Sequence, residues 1–141
     1  GQGWRVQIPA DWQPMDPEHP TVVAQYGAPV TPATSDRVRL QMNLGVHEWD
    51  QGLSRFTTMS IQTIVGVGAS VDRNVETQMS GRPATEVECT LAHRDGTYTQ
   101  IQRTAIVGNR AWVLMCVGAH TDFDAVRPTC DAILDSIVLT E

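Results

Sequence analysis

The chain has 141 residues, is 41% hydrophobic and 18% charged, and carries a formal net charge of −6. That is apolar material for a single packed domain over 1–141, and it excludes a disordered chain. All ten basic residues are Arg, and no apolar run nears the roughly 20 residues of a membrane span, which argues against a polybasic nucleic-acid or lipid face and against a transmembrane helix. The chain opens on Gly1 rather than Met, so the expectation is a trimmed or mature fragment from which any targeting segment has been lost.

WRVQIP (Trp4 to Pro9) alternates and ends at a proline, predicting a short strand. ADWQPMDPEHP is rich in proline and reads as loop, TVVAQYG (Thr21 to Gly27) as a strand, and APVTPATSD as loop again. RVRLQMNLGVHE places Val38, Leu40, Met42, Leu44 and Val46 on one face and Arg37, Arg39, Gln41 and Asn43 on the other, an amphipathic strand. Asp50 reads as the N-cap of a helix whose inner side is Leu53, Phe56, Ser60, Ile61 and Ile64, ending near Gly66 and Gly68.

The middle reads as a meander. Ser70 to Met79 is a strand, Ser80-Gly81 a turn, and Ala84 to His93 a strand with Val87, Cys89 and Leu91 opposite Glu86 and Glu88. Asp95-Gly96 predicts a tight hairpin, Thr97 to Val107 the returning strand, and Gly108-Asn109 the next turn. Arg110 to Val117 is apolar on both faces, which predicts a central strand covered on both sides. The last helix is expected from Thr121, with Thr121 and Asp124 at capping-box spacing and Phe123, Val126, Cys130, Ile133, Leu134 and Ile137 as its stripe. Pro128 either kinks that helix or starts its main part.

One strand separates Cys89 from Cys116, about 10 Å, whereas a disulfide needs Cα atoms within about 7 Å. Cys130 lies on the buried stripe of the helix that folds back on the Cys116 strand, so Cys116–Cys130 is the expected disulfide, and with it an oxidising compartment. The alternative is three small buried thiols. There is no CxxC, and apolar neighbours disfavour a thiolate, so thiol catalysis is not expected.

His120, Asp122 and Asp124 could be imagined as metal ligands, but helix capping explains them without a metal. His47 and His93 read as solvated, and Glu86 and Glu88 as an exposed sheet face or rim rather than a catalytic pair. GxSxG, GxGxxG and GxxxxGK[ST] are absent. No catalytic residue, metal or cofactor is expected. Trp4, Trp12 and Trp112 read as core and loop anchors, with an aromatic binding cleft as the alternative.

Four stretches carry a family resemblance: GWRVQIPADW, SGRPATEVECTL, TQIQRTAIVGNRAWVLMCVGA and FDAVRPTCDAILDSIVL. Together they resemble the PsbP-like fold superfamily, which includes PsbP, the Ran-binding protein Mog, LpqN-type lipoproteins and DcrB-related proteins. The resemblance implies an α+β fold, an α/β/α sandwich with a central, mostly antiparallel sheet and helices on both faces. It brings no catalytic residue. It implies a non-catalytic binding or accessory domain of a bacterial envelope or secreted protein, such as the soluble part of a lipoprotein, with a protein partner. A second reading is a cytoplasmic DcrB-related adaptor chaperone for a secretion-system effector. A third is a metal-binding protein or enzyme built around His120 or the Glu86/Glu88 pair.

Overall fold

The computed structural model describes residues 3–30, 39–94 and 96–140. Seven strands form one sheet in the order β2-β3-β4-β8-β7-β6-β5, with every neighbouring pair antiparallel. In chain order these are β2 (Gln13–Pro14), β3 (Val22–Gly27), β4 (Gln41–Glu48), β5 (Ser70–Met79), β6 (Arg82–His93), β7 (Gly96–Val107) and β8 (Arg110–Ala119). A separate ladder pairs β1 (Trp4–Arg5) with β9 (Val138–Leu139). Helix α1 (Leu53–Gly66) follows β4, and helix α2 (Phe123–Ser136) follows β8.

β8 is the middle strand, and its residues alternate into two cores. Trp112, Leu114 and Cys116 join the larger core with Met42, Leu44, Ile101 and the α2 residues Phe123, Cys130, Ile133 and Leu134. Ala111 and Val113 join the smaller one beneath Phe56 of α1. A strand that is apolar on both sides needs cover on both sides. The two helices supply it, and the architecture is the α/β/α sandwich.

Cys116 and Cys130 are joined by a disulfide, with Cα atoms 5.7 Å apart and both residues fully buried. Cys89 is a free thiol on β6, with β7 between it and β8. It belongs to the α1 side of the sheet, because it pairs with Gln100 and Gln100 with Val117, one residue out of phase with Cys116. Burial first, then the charges of Asp72 and Glu88, push this thiol's pKa up.

Several local expectations are corrected. The first strand is only Trp4–Arg5; its partner is the C-terminal β9, which local pattern does not announce. Within the expected proline loop, Gln13–Pro14 forms a short edge strand, where a missing N–H does no harm. Strand β4 begins at Gln41; Arg37 and Val38, with most of the APVTPATSD loop, lie outside the described residues. Gly52, not Asp50, takes the N-cap position of α1, at φ 85° and without a side-chain cap. Trp49 Nε1 donates to the Gly52 carbonyl at 2.7 Å and holds that entry instead.

At α2 the Thr121/Asp124 capping box does not form. A single 3-10 turn over His120–Asp122 leads into the helix, again with no side-chain cap. Pro128 sits inside one continuous helix. Phe123, Cys130, Ile133 and Leu134 around it are buried, and that burial outweighs one lost hydrogen bond. The hairpin β6–β7 pairs His93 with Gly96, and Asp95 lies outside the described residues. Ser80 adopts φ 56° beside Gly81 in the β5–β6 turn, and its Oγ accepts the Leu139 N–H at 2.8 Å, which ties that turn to β9.

Candidate functional site

α2 packs on β8 and β7, and the same face of the sheet toward β5 carries charge. Glu86 and Glu88 are successive residues of one β6 face, and the register sets Glu86 opposite Arg103 on β7 and Glu88 opposite Arg73 on β5. Glu86 is 6% exposed. It accepts from Arg103 Nε at 2.7 Å and from Arg73 on its other oxygen. Arg103 continues to Asp135 of α2, donating from Nη1 at 2.5 Å. Glu88 accepts both terminal nitrogens of Arg127, at 2.6 and 3.1 Å, and Arg127 lies 5.2 Å over the Phe123 ring.

This corrects the expectation of a solvated carboxylate rim. A buried carboxylate is tolerated when it is paired and hydrogen-bonded, and here two arginines do that for Glu86. Burial alone would lower the pKa of Arg103; the hydrogen bonds to Asp135 and Glu86 outweigh it and raise the value. Arg127 is raised chiefly by its hydrogen bond to Glu88. The network joins β5, β6, β7 and α2.

Where the network ends, at the start of α2, a cleft of about 570 Å³ opens. Asp72, Thr90, Thr99, His120, Phe123 and Asp124 contribute to its lining. Thr90 donates to Asp72 at 2.6 Å, and His120 Nδ1 lies 2.7 Å from Thr99 Oγ1. Thr99 is only 2% exposed, and its hydroxyl anchors the imidazole at the cleft wall. His120 and Asp124 therefore share the cleft while Asp122 lies outside its lining, and no cluster of three or more metal-ligating side chains occurs among the described residues.

The tryptophans divide. Trp12 and Trp112 are in the larger core and Trp4 packs against it; Trp112 also reaches a shallow groove beside Gly3 and Thr140. His93 is exposed near Tyr98. His47 is half-buried with its ring 5.6 Å from Phe56, a correction to its solvated reading, and burial followed by the nearby His19 lowers its pKa. A second groove, between α1 and β5, was not visible in the sequence because nothing local marks β5 as a sheet edge.

No protein-family model matches the chain, and no curated protein matches it in sequence. Solved structures do match in fold. LpqN of Mycobacterium tuberculosis, described as involved in cell envelope biogenesis, aligns over 100% of this chain and 87% of its own with a TM-score of 0.73 at 13% identity. The cyanobacterial PsbP, CyanoP, of Synechocystis sp. PCC 6803 aligns over 98% of this chain and 87% of its own, with a TM-score of 0.70 at 13% identity. Protein PA94 of Pseudomonas aeruginosa covers 99% of both chains at a TM-score of 0.71 and 9% identity. The chain has the PsbP-like fold.

Proposed function

We propose that this chain is a single non-catalytic accessory domain that works outside the cytoplasm and binds a protein partner, held at the envelope by a lipid anchor or released by secretion. The observation that carries the reading is the Cys116–Cys130 disulfide, sealed inside the larger core. Such bonds persist in oxidising compartments and are rare in the cytosol. The fold shared with LpqN supports the envelope over other extracytoplasmic settings.

The test is thiol trapping of the protein in its native host, with alkylation after denaturation. One modified thiol before reduction and three after support the reading; three before reduction sink it. A small-molecule turnover that His120→Ala or Glu88→Gln abolishes would remove the non-catalytic part. The cytoplasmic adaptor reading keeps one supporting observation: Met59, Val65 and Val67, in and just after α1, are exposed at 39%, 55% and 65%. Free thiols at all three cysteines would turn the choice toward it.

A further inference from the structure

The main sheet has two edges. β2 closes one; it is two residues long and ends in Pro14, which has no N–H to offer another strand. β5 forms the other over ten residues, and no described strand pairs with its outer side. Sheet edges are usually guarded by bulges, prolines or lysines. Here the register slip between Val71 and Arg73 guards only the beginning, and from Arg73 to Met79 every residue has its partner on β6. That stretch holds no proline, and of its two charged side chains Arg73 is engaged by Glu86, which leaves Glu76 as the one charge not tied back onto the sheet. Its outward backbone N–H and C=O groups form a row ready for a further strand.

Helix α1 runs beside this edge and leaves a groove of about 710 Å³. Leu53, Thr57 and Ile61 line it from the helix, and Asn74, Glu76 and Gln78 from one face of β5. Val75, on the alternate face, is 39% exposed. Glu76 is the one charged side chain in the groove lining, and it makes no hydrogen bond or ion pair among the described residues. Its charge has the sign of the whole chain, which is −6.

We propose that the β5 edge docks an extended segment of a partner protein as an additional strand. Main-chain hydrogen bonds to Arg73–Met79 hold it. Aliphatic or β-branched side chains on one face enter the groove against Leu53 and Ile61, and a Lys or Arg sits against Glu76. The inference rests on the reading of this protein as a partner-binding domain and names the surface and the segment chemistry that such binding uses.

The purified 141-residue chain is used to select from a displayed library of random peptides, and enriched peptides are titrated into isotope-labelled protein. The expected peptides alternate apolar residues with at least one Lys or Arg. They shift the backbone amides of Arg73–Met79 and slow their hydrogen exchange. Glu76→Lys weakens binding about tenfold, since a cross-strand attraction becomes a repulsion, and leaves the unfolding midpoint unchanged. The proposal is overturned if no peptide is enriched, if the shifts map away from β5, or if Glu76→Lys binds equally well. It is also overturned if the chain itself dimerises through β5 in light scattering, which makes a second copy the occupant. The thiol count decides the compartment and the selection decides the surface, so either can fail while the other stands.

Discussion

Reducing the Cys116–Cys130 bond tests the central joint of the fold. The two cysteines are 14 residues apart in sequence. Closing a loop of about 15 residues in the unfolded chain is worth about 3 kcal/mol in the chain-entropy model. Reduction opens no cavity, but the two bonded sulfurs must separate to van der Waals contact inside a fully buried site, so crowding in the core adds to the lost cross-link and the chain-entropy figure is a lower bound. With a urea slope of about 2 kcal/mol/M for a domain of this size, the unfolding midpoint should fall by at least about 1.5 M. The assay is urea unfolding followed by tryptophan fluorescence, on oxidised protein and on protein unfolded, fully reduced and refolded in reductant. A thiol count on the same samples should read one and three. Equal midpoints for samples with those counts would refute the reasoning, because the constraint would then be carried by packing alone. The double substitution Cys116→Ala/Cys130→Ala should fall further than reduction, because it also empties two fully buried positions.

Three further outcomes follow from the charged network and the buried groups. Glu86→Ala should destabilise the protein by about 3 kcal/mol in urea unfolding, because it leaves the largely buried Arg103 with Asp135 alone; Arg127→Ala, at a more exposed pair, should cost about 1 kcal/mol, and a reversed order would show that the network is not anchored at Glu86. His47 holds its proton less tightly when folded than at the ordinary 6.5, so its contribution is fully present above that pH and is lost as pH falls through the lower folded value. His47→Gln should therefore flatten the acid decline of the urea midpoint, and an unchanged slope would contradict the burial argument. Cys89, 5% exposed and with its thiol pKa raised, should react with a thiol reagent slowly in native protein and fast in urea; equal rates would place it at the surface.

What local pattern can express is legible in the sequence. Residues 110–117 are apolar in both phases, and a strand of that kind can only be central. The spacing of Phe123, Val126, Cys130, Ile133 and Leu134 defines a helix side, and the phase of Cys116 within β8 says which face of the sheet that side must meet. The turns at Ser80-Gly81 and Gly108-Asn109 are local events that positive-φ residues announce. These signals act within a few residues of one another, which is why sequence alone could carry them.

Contacts between distant segments were decided elsewhere. Trp4–Arg5 has little strand character until Val138–Leu139 arrives beside it, and no periodicity links the two ends of a chain. Gly52 became the start of α1 because Trp49 seats its indole on that carbonyl, an arrangement that depends on Trp49 packing edge-on against Phe56 at 5.2 Å. Glu86 and Glu88 read as solvent-facing because alternation reports which residues share a side, not what covers that side. The cover is Arg103 on β7 and Arg127 on α2, the latter 39 residues from Glu88. The sequence by itself determined the six longer strands β3 to β8, the helix faces and the central place of β8, because hydrophobic periodicity is a local property of the chain. Only tertiary structure decided the burial of the carboxylates, the cleft beside His120 and the open edge along β5, because each depends on which distant segments lie next to one another, or on none doing so.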